Sequence, residues 1–166
     1  MIYKAKSDKP VMSLRRGMFQ IMSNATLVKF GLPATLIADY KHWVVLLRPA
    51  QVTLGSLILG AKGDWSAFSQ IPPQAFAELA QVTRCLETGL RNFSAYDKIN
   101  YLMLMMVDPH VHFHVIPRYA KPRRFADIDF PDSGWPGQPH LTAATAISSD
   151  IQSQLRAALR VHWPRD

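Results

Sequence analysis

The segment PHVHFHVIPRY, residues 109–119, places three of the six histidines of the chain, His110, His112 and His114, at alternate positions. Val111, Phe113 and Val115 stand between them. In a strand, side chains at alternate positions share one face and lie about 7 Å apart. The pattern therefore predicts a strand with its imidazoles on one side and its apolar residues in a core on the other. A one-residue slip would bury the imidazoles, so the alternation also sets the register. Pro109 precedes this strand and Pro117 is expected to end it. Three readings of the row stand side by side: a polar face that happens to carry histidines, a metal site and a catalytic site.

Working outward, Ile99 to Val107 is nearly all apolar. Its Leu and Met content favours helix, whereas its short length and the following Asp108-Pro109 favour strand, and a central strand is the expectation. Further upstream, Thr35–Asp39 and Trp43–Leu47 read as two strands joined by the polar turn Tyr40-Lys41-His42. Leu57-Ile58-Leu59 reads as a third strand, entered through Gly55-Ser56 and left through Gly60. Pro72 and Pro73 suit the first turn of a helix. From there Phe76, Leu79, Thr83, Leu86, Leu90 and Phe93 form an amphipathic stripe that packs on the sheet. Cys85 lies inside this helix and is expected to act as a small buried hydrophobe rather than a nucleophile.

At the ends, Leu14, Met18, Ile21 and Met22 fall at helical spacing between Ser13 and Asn24, and Gly31 and Pro33 close that pattern. Lys121 to Pro139, rich in Pro, Gly, Asp and Arg, is expected on the surface. A last helix starts near Ser149, whose side chain caps it while Gln152 reaches back. Ile151, Leu155, Ala158 and Leu159 make its apolar face. The sum is an α+β architecture: a mainly antiparallel sheet of about five strands, a helix packed on one face and a C-terminal helix. A single domain over 1–166 is expected, with its core at about 30–120 and an extension at 121–166.

Composition sets the frame. Of 166 residues, 48% are hydrophobic and 19% charged, an ordinary globular balance. No apolar run approaches the roughly 18 residues of a membrane helix. The first residues lack the apolar core of a signal peptide, and the lone Cys85 forms no internal disulfide. A soluble cytoplasmic protein without membrane association is the expectation. Lys and Arg outnumber Asp and Glu by 19 to 12, giving a net charge of +7. Such a field attracts anions without naming one: nucleic acid, nucleotides and other phosphorylated metabolites all qualify, as does a solubility role without a ligand.

The stretch His110-Val111-His112-Phe113-His114-Val115-Ile116 resembles the His-φ-His-φ-His-φ-φ signature (φ apolar) of the histidine triad (HIT) family, and Pro117-Arg118 continues as in many members. Gly55-Ser56-Leu57-Ile58-Leu59 resembles the family's strand after its Gly-His step, the Pro72 helix stands where one is expected, and Ile99 onward looks like the penultimate strand. The resemblance covers about residues 30–120.

It implies hydrolysis or transfer at the α-phosphate of a nucleotide, often an adenosine nucleotide such as a dinucleoside polyphosphate. By the same resemblance His112 attacks phosphorus and carries a covalent nucleotidyl group, while its other ring nitrogen donates to the main-chain carbonyl of His110. His114 lies beside the phosphate, and the side chain of His110 supports the other two. No cofactor is required, although Mg can arrive with the nucleotide, and a homodimer is implied.

The sequence departs from the family pattern in three places. Ser56 stands where many members have His. Leu47 and Arg48 stand where members have the Asp or Asn that holds the ribose. Met105–Pro109 joins the strands without the usual Gly-Gln stretch. Ser56, Arg48, Leu47 and Arg118 are accordingly the candidate substrate-binding residues. Arg118, Lys121, Arg123 and Arg124 form either a cationic rim for phosphates or an exposed basic loop. Trp43, Trp135 and Trp163 are available for base stacking or for packing. A metal site would draw on His42 or His140, the nearest acids being Asp108 and Asp127 in turns or loops. A catalytically weak nucleotide-binding module is a further alternative. Nucleic acid ranks last as a partner, because the cations cluster in one loop without a recognised motif.

Overall fold

A computed structural model of the chain describes residues 23–164. The helix expected over 13–24 lies outside them except for its last two residues. Of those, Asn24 is extended and caps a different helix, α1 (Ala25–Lys29), by accepting from the Leu27 N–H. Its amide also donates to the carbonyls of Ala61 and Gly63, which ties α1 to the sheet.

Five strands form that sheet. A tight turn at 40–42 joins β1 (Leu36–Asp39) to β2 (Trp43–Leu47), as the polar turn residues predict. A short β3 (Ala50–Gln51) leads to β4 (Leu57–Ala61), and α2 (Pro73–Ser94) starts with proline in its first turn. Then come β5 (Lys98–Leu102) and β6 (His112–Arg118). The spatial order is β1-β2-β4-β6-β5, and all neighbours are antiparallel. Beyond the sheet lie a hairpin of β7 (Arg123–Phe125) and β8 (Ile128–Phe130), then β9 (Thr145–Ala146), which pairs with β3, and α3 (Ser149–His162). No helix among the described residues is long and apolar enough to cross a membrane.

Strand alternation splits the core into two layers. Val45, Leu47, Leu57, Leu59, Val111 and Val115 meet Val82, Leu86 and Leu90 of α2 and Leu155 and Leu159 of α3. Val44, Leu46 and Ile58 face the other way and meet Leu27 of α1, with Phe30, Leu32 and Leu36 around them. Helices therefore cover both faces, not one, because α1 packs on the face away from α2 and α3. Gly60 explains how α1 comes so close: a Cβ there would lie 2.3 Å from Leu27 Cδ2. The strand runs through Gly60 to Ala61, so this glycine marks close approach rather than a strand end.

Other expectations are corrected in the same way. Among the described residues β5 is an outer strand, paired only with β6, and it stops at Leu102. Because β5 and β6 are antiparallel neighbours, the chain must reverse between them. Residues 103–109 do so, leaving Met106 and Val107 largely exposed. Pro117 sits inside β6, beyond the Leu57–Val115 pairing with which β4 begins, and its carbonyl accepts from Thr53 Oγ1. The α2 stripe is rotated: Ala75, Val82, Leu86, Gly89 and Leu90 are buried, while Phe76 is exposed and packs on Phe68. Cys85 is only half-buried. Ser148, not Ser149, caps α3. Residues 121–139 contain the β7–β8 hairpin and the fully buried Phe130, so they are more than a surface run. Trp43 donates to the Ala75 carbonyl inside the core, and Trp163 packs on Gly89, so both indoles serve packing.

Candidate active site

β6 starts at His112, so the row of three comprises two strand residues and His110 in the bend before them. His112 and His114 share the face that carries Ile58, which lies opposite His114 across the β4–β6 ladder. Their rings meet edge-on, centroids 5.1 Å apart. This face does not open directly onto solvent. The Phe30 ring lies 5.4 Å from the His112 ring and 5.6 Å from that of His114, and His112 has no exposed surface. Thr26 pins the cover: its Oγ1 is 2.9 Å from His110 Nδ1 and accepts from the His110 N–H. Lys29 pairs with Asp108 at 2.5 Å. His110 Nε2 looks toward Asp64 at 3.9 Å.

The proton positions follow from these contacts. His112 Nδ1 is 2.7 Å from the His110 carbonyl, which can only accept, so Nδ1 carries the hydrogen. In a neutral imidazole Nε2 is then a bare lone pair. It is also the one buried side-chain nitrogen or oxygen without a hydrogen-bond partner among the described residues. Leaving such an atom unsatisfied costs about 1–3 kcal/mol, so a packed protein that keeps one has a use for it. A basic lone pair, directed by its own strand and free of protein partners, is a nucleophile.

His114 is held neutral. Burial, the His112 ring and the Arg48 guanidinium lower its pKa to about 4, against a smaller opposite pull from Asp108. Arg48 Nε donates to His114 Nδ1 at 3.4 Å, and the same guanidinium donates to the Ala50 carbonyl. A histidine depressed from 6.5 to about 4 binds fewer protons folded than unfolded. Its contribution to stability is therefore complete above pH 6.5 and is lost as the pH falls toward 4. The expected loss is about 2 kcal/mol, allowing for solvent screening. Denaturant unfolding across that window should show a shallower acid slope for His114→Gln than for the parent; equal slopes would contradict this.

The remaining sequence candidates separate. Arg48 stands in the site. Leu47, its neighbour, points to the opposite face and is fully buried in the α2 layer, so it cannot meet a ligand of the histidine face. Ser56 is fully buried and bonded in the 53–56 turn, its Oγ donating to the Thr53 carbonyl at 2.8 Å. Gln51 locks that turn, accepting from the N–H groups of Gly55 and Ser56. Arg118 lies on the histidine face but farther along β6, where it donates to both oxygens of Asp132, to Asn100 Oδ1 and to the Gly137 carbonyl. Its donors hold the 130–137 loop instead of a ligand.

A cavity of about 390 Å³ lies beside it, lined by Lys98, Asn100, Trp135 and Pro136. Arg123 donates to the carbonyls of Ser94 and Ala95, and Arg124 pairs with Asp129, so these arginines have structural partners. His42 lies in the β1–β2 turn and His140 beside Ser133, and among the described residues no three His, Cys, Asp or Glu side chains gather as metal ligands would. Sequence reasoning missed Thr26 and Phe30, because nothing local marks the segment that folds over a distant strand.

No protein-family model matches the chain, and no curated protein matches it. Solved structures do. A histidine triad (HIT) protein from Sinorhizobium meliloti 1021 is 21% identical, with a TM-score of 0.67 over 88% of this chain and 99% of that one. A histidine triad protein from Bradyrhizobium japonicum is 20% identical, with a TM-score of 0.65 over 84% of this chain and 96% of that one. The diadenosine triphosphate hydrolase of Plasmodium falciparum is 10% identical, with a TM-score of 0.57 over 78% of this chain and 76% of that one. The chain has the histidine triad fold.

Proposed function

We propose that this chain is a member of the histidine triad family, one domain in extent, that hydrolyses or transfers a nucleotidyl group at the α-phosphate of a dinucleoside polyphosphate or related adenosine phosphate. One observation carries the reading: the 2.7 Å contact from His112 Nδ1 to the His110 carbonyl, which leaves Nε2 as an unpartnered lone pair. A structural neighbour that hydrolyses diadenosine triphosphate supports the substrate class.

In the first step Nε2 of His112 forms a bond to the α-phosphorus as the bond from phosphorus to the bridging oxygen breaks. The leaving phosphate keeps that electron pair and takes a proton from solvent. The phosphorylated ring, still protonated on Nδ1, is cationic and departs readily. Water then attacks phosphorus, the P–N bond returns its electrons to Nε2, and the surplus proton passes to solvent. His114 faces the phosphate as a donor, with Arg48 against its other ring nitrogen, and His110 supports the nucleophile from behind through its carbonyl. The chemistry calls for no cofactor; Mg accompanies the nucleotide. Access to Nε2 requires the Phe30 ring to swing aside. A homodimer belongs to the same reading, and the outer edge of β5, unpaired among the described residues, is available to a second copy.

The Phe30 cover favours one competing reading, a nucleotide-binding module with little turnover. Hydrolysis of diadenosine tetraphosphate in ¹⁸O-water separates the two. Attack at the α-phosphorus should yield AMP and ATP, with ¹⁸O in the AMP. Tight AMP binding without turnover would overturn the enzymatic reading, and release of two ADP molecules would overturn attack at the α-phosphorus.

A further inference from the structure

Two imidazoles side by side on one strand can serve one phosphate only if their protons sit differently. His112 keeps its hydrogen on Nδ1, facing the His110 carbonyl, and presents a lone pair. His114 must present the reverse, a hydrogen, if it is to steady a phosphate oxygen. We propose that Arg48 is a positioning residue that holds His114 in the Nε2–H tautomer. The inference rests on the reading of His112 as the nucleophile and adds the residue that differentiates its neighbour.

Geometry supports it at both ends of the contact. A guanidinium has donors only and stays charged at any physiological pH. Its Nε–H therefore makes His114 Nδ1, 3.4 Å away, the acceptor. In a neutral imidazole the hydrogen must then lie on Nε2. The ring is neutral near pH 7 because burial, His112 and Arg48 all disfavour its charge, with only Asp108 opposing them. His114 Nε2 has no protein partner among the described residues, so its hydrogen is available to a ligand.

Arg48 is itself aimed. Its N–H donates to the Ser56 carbonyl at 3.0 Å, its carbonyl accepts from Gln51 Nε2 at 2.5 Å, and its Nη1 donates to the Ala50 carbonyl. With the backbone fixed on both sides and one arm of the fork anchored, Nε faces the ring. A lysine would bring the charge on a flexible stem without the planar fork. Contacts of this kind are often long before a ligand arrives and shorten in the complex.

The test is long-range ¹H–¹⁵N correlation NMR of the full chain with ¹⁵N-labelled histidine near pH 7, which reads each ring's tautomer without requiring turnover. In the parent protein His114 should show a bare Nδ1 and a protonated Nε2, and His112 the opposite. In Arg48→Met, His114 should become a tautomer mixture and its titration midpoint should rise from about 4 toward 6.5, while His112 stays unchanged. Turnover should fall on the order of 10-fold, more in kcat than in KM. Arg48→Lys, a donor-only cation without the fork, should restore only part of the Nε2–H form and part of kcat.

A role confined to bracing Ala50 would lower thermal stability without moving the tautomer. Finding His114 as Nδ1–H in the parent, or unchanged in Arg48→Met, overturns the inference even if nucleotides are turned over. A tautomer switch in a protein that turns over no nucleotide would uphold the role of Arg48 and overturn the nucleotidyl reading instead.

Discussion

His112→Ala should reduce release of mononucleotide from dinucleoside polyphosphates by at least about 10⁴-fold, the scale on which removal of a covalent nucleophile is felt. The whole barrier reduction of a two-step transfer passes through Nε2, and among the described residues no other buried side-chain nitrogen or oxygen is without a partner to substitute for it. The variant should remain folded. Removing a fully buried ring leaves a void beneath Phe30, but it also removes a nitrogen that was buried without a partner. The two effects oppose each other, so a net destabilisation of about 1–3 kcal/mol is expected. Initial rates at saturating substrate, with circular dichroism to establish folding, decide the matter. Full activity in a folded His112→Ala protein would end the covalent account.

The largest expected effect on stability lies elsewhere, at Asp132. Arg118 and Asp132 form a forked pair, Nε to Oδ2 at 2.6 Å and Nη2 to Oδ1 at 3.0 Å, with side chains 4% and 1% exposed. Burial pushes the Asp132 carboxyl pKa up. The Arg118 hydrogen bonds and charge, with the N–H groups of Tyr119 and Gly134, outweigh that and hold it below the usual carboxylate range. A carboxylate depressed in this way contributes stability above its ordinary pKa and loses it as the pH falls through the folded value. Asp132→Ala leaves a buried guanidinium without its counter-charge, which costs about 3–5 kcal/mol. Denaturant melts should show that loss near neutral pH and a flattened acid limb. A change below about 1 kcal/mol would mean that Asn100 and the Gly137 carbonyl suffice for Arg118.

Much of this architecture is written in local pattern. The turn at Tyr40-Lys41-His42 and the prolines before α2 specify their own backbone, and the alternation across His110–Val115 specifies both the strand and the faces of its residues. Parity also explains one failure. Leu47 and Arg48 are adjacent in an extended chain and so face opposite ways; only Arg48 can stand beside His114, and the pattern already contained that distinction. Other features depend on partners far along the chain. The apolar run from Ile99 reads as buried because its side chains are apolar, yet its position is set by which edge of β6 remains free. Arg118 has the right parity for the histidine face, but its engagement is decided by Asp132, fourteen residues on in a loop without periodicity. Phe30 and Thr26 carry no motif at all. Their place over the histidines follows from Gly60 admitting Leu27, a contact between segments more than thirty residues apart.

Everything functional in this picture turns on phosphorus bonding to one ring nitrogen. The direct measurement is to mix the protein with diadenosine tetraphosphate labelled at the α-phosphorus, quench within the first turnovers under alkaline conditions that preserve phosphoramidates, and locate the label by peptide mass. An acid-labile adenylyl group on the peptide containing His112, absent from His112→Ala, is the expected result. Substrate consumed at full rate with label on another residue, or with no adduct even in single-turnover quenches, would contradict it.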